Sequence, residues 1–110
     1  MPAATQIDPD VLRSSADAAC RLLKALSNPD RLMLLCHLAQ GEMRVGELEA
    51  MTGVLQPTLS QQLAVLRDEG LVSTRREGKS IHYSIHSPQA LAVMAVLYAQ
   101  FCVDTKGKQA

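Results

Sequence analysis

The sequence has no net charge, too few cysteines for a disulfide scaffold and no apolar run long enough to cross a bilayer. Eleven Lys and Arg balance eleven Asp and Glu across 110 residues, so bulk charge does not point to nucleic acid or to an acidic surface. Three cysteines, an odd number, do not fit the paired framework of a small secreted domain, and their thiols are expected to be reduced, in the cytoplasm. The stretch 90–103 is interrupted by Tyr98 and Gln100 and is too short for a membrane span; no segment has the order of a signal peptide. Phosphate loops, nucleophile elbows and paired-acid motifs are missing too, and Ser60 has no visible base, so no enzyme and no cofactor are expected.

Apolar residues at 47 % and charged residues at 20 % describe one ordinary globular domain. At this length its core is modest, and a second subunit would help to cover its apolar surface. Residues 1–9 suggest a loose arm, 10–104 a single domain and 105–110 a solvated tail.

Periodicity places the elements. Ala16, Ala19, Leu22, Leu23 and Leu26 recur on one face of a first helix over about 10–26. Asn28-Pro29-Asp30 supplies a cap, a first-turn proline and a favourable negative charge for a second helix, apolar on most sides and ending at Gly41, which should be central. A short third helix over about 45–51 turns Leu48 and Met51 inward and breaks at Gly53. Leu59, Leu63 and Leu66 form the inward stripe of a fourth, begun by Pro57 and Thr58 and ended by Gly70. The period then changes to two: Ile81, Tyr83 and Ile85 alternate with His82 and Ser84, and Glu77-Gly78 provides a hairpin turn. A last helix begins at Pro88 and carries Leu91, Met94, Leu97, Tyr98, Phe101 and Cys102 at helical spacings. The order implies a mainly α fold with a small β-hairpin: a winged helix-turn-helix with an extra helix at each end.

That fold gives the segment QPTLSQQLAVLRDE a purpose. With the leucines facing inward, Gln56, Thr58, Ser60 and Gln61 remain on the leading surface of a helix narrow enough for a major groove. The two glutamines are the candidate base readers, and the two hydroxyls divide between bases and phosphate. Arg75, Arg76 and Lys79 crowd one turn, and with His82 they can contact the backbone or minor groove. Charged turns are also common on plain solvated surfaces, and a winged-helix module that binds protein is the alternative.

The segments SNPDRLMLL, VGELEAMTGVLQPTLSQQLAVLRDEGLV and TRREGKSIHYSI, within about residues 10–104, resemble the small bacterial repressors of the ArsR/SmtB family. The resemblance implies a homodimer joined through the first and last helices, bound to inverted-repeat double-stranded DNA and released by an inducer. Val93, Val96 and Leu97, apolar beside the inward stripe, are a separate reason to expect a paired surface.

Metal ligands typical of that family are not found: Met43-Arg44-Val45-Gly46-Glu47-Leu48 replaces a cysteine-bearing segment, and the last helix has neither Asp nor His over 90–103. His37 lies on the central helix, His82 is expected to alternate outward beside the wing and His86 follows the second strand, a spacing that shows no convergence. No metal site is expected. Cys36 in LMLLCHLAQ and Cys102 near the end of the last helix are instead similar to the dithiol members of the family, which respond to sulfide and redox state. That resemblance implies a disulfide or polysulfide link between Cys36 and Cys102, formed by oxidants or reactive sulfur species, that inactivates the repressor. A cysteine on an apolar helix is also ordinary filler, and a three-thiol metalloid site would add Cys20 to the pair.

Overall fold

Three of the helices open on a side chain that satisfies a free amide. In a computed structural model that describes residues 6–102, Asp8 Oδ1 accepts from Asp10 N at 2.7 Å, Asn28 Oδ1 from Arg31 N at 3.1 Å and Ser87 Oγ from Ala90 N at 3.0 Å. Each cap precedes a proline in the first turn, where a missing N–H costs nothing. The elements are α1 (Pro9–Leu26), α2 (Pro29–Leu38), β1 (Met43–Arg44), α3 (Val45–Thr52), α4 (Thr58–Asp68), β2 (Val72–Glu77), β3 (Ser80–Ile85) and α5 (Pro88–Leu97). A π-helical turn, Tyr98–Cys102, continues α5. This is a winged helix-turn-helix, mostly helical, as the sequence implies. The start of the expected arm (1–5) and residues 103–110, the tail among them, lie outside the described residues.

Leu34, Leu35, Leu48, Leu59, Leu63 and Leu66 are fully buried, and α2 is the central helix. Its neighbours α3 and α4 form the helix-turn-helix, where Gly53 takes φ 75° to end α3 and Val54 is buried in the turn. Arg31 fastens this corner. Its Nε donates to Ala25 O at 2.7 Å and its Nη2 to Lys24 O at 3.2 Å, satisfying the end of α1, while Nη1 donates to Gln62 Oε1 on α4 at 2.9 Å. A second bridge, Arg21 Nη2 to Glu69 Oε1 at 3.1 Å, joins α1 to the far end of α4.

The wing is larger than a hairpin. β1 adds to the free edge of β3, giving an antiparallel sheet in the order β1-β3-β2, with Arg44 opposite His82 and His82 opposite Arg75. Two residues are too few to show a period, so the sequence does not announce this strand.

Four expectations are corrected. Met51 is 56 % exposed rather than inward; α3 meets the core through Leu48 and, in part, Val45. The α-helix of α2 stops at Leu38, and turns carry the chain to Gly41. His82 is not outward: its side chain is 16 % exposed, covered by acidic neighbours, and Ile81 is the exposed member of the alternation. Ala16, Ala19 and Leu23, three members of the recurring face of α1, are exposed in the protomer, where only Ala25 and Leu26 of this helix are buried.

Candidate nucleic-acid interface and thiol pair

The front of α4 is built by one glutamine serving the backbone. Gln56 Oε1 accepts from Ser60 N at 3.1 Å and from Ser60 Oγ at 2.7 Å, replacing the cap that Pro57 cannot supply. Gln56 therefore presents only its amide N–H groups outward, as donors. Gln61 is exposed one turn further on and Thr58 is half-buried. An amide offering both donor and acceptor can pair side-on with adenine, and Gln61 suits that role better than Gln56.

On the wing, alternation separates residues that are adjacent in sequence. Arg75 and His82 share one face of the sheet, Arg76 points to the other, and Lys79 is exposed in the turn beside Gly78, whose φ of 62° makes the reversal. Arg75 is held in a fork by Glu42, Nη2 to Oε1 at 2.6 Å and Nε to Oε2 at 3.2 Å. Glu77 Oε2 lies 3.7 Å from Arg75 Nη1. His82 sits between the same two carboxylates, 3.8 Å from Glu42 and 3.5 Å from Glu77. The Arg75 hydrogen bonds hold the Glu42 carboxyl below its usual range, and those from Arg44 do the same for Glu47. Sequence inspection missed Glu42 because it stands in a loop 33 positions from Arg75.

Cys36 on α2 and Cys102 at the end of the π-helical turn are half-buried free thiols. Burial, and next the charge of Cys102, push the Cys36 thiol above its usual range. The wider winding of a π turn aims Cys102 differently from a continued α-helix. Cys20 is exposed on α1. Among the described residues no three Cys, His, Asp or Glu side chains gather as a metal would require; His37 Nδ1 is buried without a hydrogen-bond partner, and His86 is exposed.

Residues 28–74, from the cap of α2 into β2, match the model of the bacterial regulatory proteins of the arsR family. The biofilm growth-associated repressor of Agrobacterium fabrum is 58 % identical over 81 residues, which cover 74 % of this chain and 69 % of that protein. The chain belongs to the arsR family. Its fold matches the crystal structure of the transcriptional repressor BigR from Xylella fastidiosa with a TM-score of 0.81 and 46 % identity, covering 89 % of this chain and all (100 %) of that one. It also matches the homodimeric winged helix-turn-helix DNA-binding domain of a possible ArsR-family regulator from Mycobacterium bovis, solved by NMR, with a TM-score of 0.71, 35 % identity and 88 % of each chain covered. This ArsR-family chain is a DNA-binding transcriptional repressor. No helix among its described residues is long and apolar enough to cross a membrane.

Proposed function

We propose that the protein represses transcription as a homodimer on an inverted-repeat operator and leaves that operator when Cys36 and Cys102 become covalently linked. The observation that carries the reading is the placement of two half-buried free thiols, Cys36 on central α2 and Cys102 at the end of the turn that continues α5, with burial first and Cys102 second raising the Cys36 thiol above its usual range. Dimerisation is supported by the apolar side chains left exposed on the terminal helices: Val11, Leu12 and Leu23 on α1, and Leu91, Val96 and Phe101 on or just after α5, with Phe101 72 % exposed. A symmetric pair would bury these faces and present two α4 helices to two half-sites. Gln61, Thr58, Ser60 and Gln56 face the groove, and Arg76 and Lys79, joined by Arg75, meet the backbone, while His82, covered by Glu42 and Glu77, acts only from behind Arg75.

The link balances in either of two ways. With a peroxide, one thiolate takes an oxygen and becomes a sulfenic acid, and the second thiol displaces water to form a disulfide. With a persulfide donor, one thiol acquires a sulfur atom and releases the donor thiol. Closure against the second cysteine passes two electrons to another donor molecule, which departs as thiol and sulfide. A bridge from α2 to α5 strains the helices that fix the distance between recognition helices, and contacts at both half-sites are lost together.

The test treats reduced protein with peroxide or a low-molecular-weight persulfide and follows intact mass and binding to an inverted-repeat duplex recovered by selection. The wild type should gain the mass change of a disulfide or polysulfide and lose affinity. Cys36→Ser and Cys102→Ser should bind and fail to respond. Release that persists in both variants overturns the thiol mechanism.

A further inference from the structure

The face of the wing that holds Arg75 cancels its own positive charge. Arg44 and Arg75 stand among Glu42, Glu47 and Glu77, with His82 between two of these carboxylates. Glu42 occupies the Nε and Nη2 edge of Arg75, the edge through which a guanidinium binds phosphate in a two-pronged fashion. One edge cannot serve both partners. The Arg75 and Glu42 side chains are 50 % and 35 % exposed, so the pair lies in water, where an ion pair is worth no more than about a fivefold change in equilibrium and exchanges readily.

We propose that Glu42 sets the strength of operator binding by competing with DNA phosphate for Arg75. The proposal rests on the wing acting as a backbone contact, as above. A phosphate approaching the wing gains Arg75 only after Glu42 lets go, and the freed carboxylate keeps His82 Nδ1 as a neighbour at 3.8 Å. Arg76 and Lys79 meet DNA without this step, because no carboxylate lies within ion-pair distance of them among the described residues. Part of the wing's charge is thus held back, which weakens the grip on DNA and eases dissociation from it.

Three variants of the reduced full chain test this on an inverted-repeat duplex across a salt series, together with Lys79→Ala as a check on the wing itself. Glu42→Gln should bind roughly two- to fivefold more tightly and steepen the salt dependence by about one counterion. In an Arg75→Gln background the same substitution should give a smaller gain and no added slope, since only the general removal of a negative charge remains. Equal gains in both backgrounds overturn the competition. Weaker binding by Glu42→Gln overturns it in the other direction, making Glu42 a residue that positions Arg75 for DNA. If Lys79→Ala leaves the salt slope unchanged, the backbone role of the wing falls and the proposal falls with it; if that slope drops while Glu42→Gln behaves as wild type, only the role of Glu42 is lost.

Discussion

Arg31 and Gln62 meet at 2.9 Å, Nη1 to Oε1, and this bond ties the first turn of α2 to the middle of α4. The same guanidinium also closes the end of α1 through two backbone carbonyls. One side chain therefore sets three helices at a common corner.

Arg31→Lys keeps the charge and loses the planar fork. Stability should fall by about 1–3 kcal/mol, the cost of leaving part-buried acceptors unpaired, and Gln62→Ala, which removes one of the three bonds, should cost less. Urea melts of the two variants check the order. A lysine variant as stable as wild type shows that water replaces the fork.

Two glutamines at the front of α4 should behave differently. Gln61→Ala should relax selectivity at one base pair by about 1–3 kcal/mol and leave the melting temperature nearly unchanged. Gln56→Ala removes the acceptor for Ser60 N and Oγ and should lower stability by about 0.5–2 kcal/mol, as loss of a helix cap does. Binding to a panel of single-base operator variants, paired with thermal melts, separates the roles; Gln61→Ala with an unaltered base preference removes Gln61 from the reading surface.

Cys36 should be a sluggish nucleophile in the reduced protein. Burial raises its pKa first and Cys102 second, so the thiolate fraction at neutral pH is smaller than in the unfolded chain. The sign follows: stability linked to this thiol is fully present below the unfolded pKa and is lost as pH rises through the higher folded value. Alkylation of Cys36, followed by peptide mass mapping, should be slower in native than in urea-unfolded protein and should accelerate in Cys102→Ser. An unaltered rate in that variant separates the two thiols electrostatically.

The Glu42 carboxyl should stay charged below its ordinary 4.5, because Arg75 hydrogen-bonds to the ionised form. Its folded pKa is depressed, so the contribution of the pair is present above the unfolded value and disappears as pH falls through the folded one. Carboxyl NMR titration of the free protein gives the midpoint, and Arg75→Gln should move it upward. A midpoint indifferent to that substitution means that the fork does not persist in solution.

Val96→Asp should shift the protein toward monomer without unfolding it, since Val96 lies outside the protomer core. An unpaired charge in a buried contact costs about 3 kcal/mol or more, enough to weaken assembly and operator binding together. Sedimentation and operator titration on the same sample measure both, and an undiminished dimer places the interface elsewhere.

Much of the fold could be read from local rules, each of which acts within a few residues. Asn28-Pro29 and Ser87-Pro88 start helices because cap and first-turn proline are adjacent in the chain, and Leu59, Leu63 and Leu66 mark the buried face of α4 because its period repeats. Met43-Arg44 is too short to have a period, and its strand exists only because the edge of β3 is there to receive it. Met51 obeys the helical period, yet period cannot say where a neighbour stops. The residues proposed to face DNA were legible as types, not as partners: nothing near Gln56 in sequence says that its oxygen is committed to Ser60, and nothing near Arg75 points to Glu42.

By itself, then, the chain's order of residues determined the helices, the hairpin and the family, since capping, periodicity and turn chemistry are short-range effects. Tertiary structure alone decided which wing cations are held by carboxylates, that His82 is covered, and that Cys36 and Cys102 are both half-buried. Coulomb and hydrogen-bond energies depend on distance through space, and folding sets that distance without regard to separation along the chain.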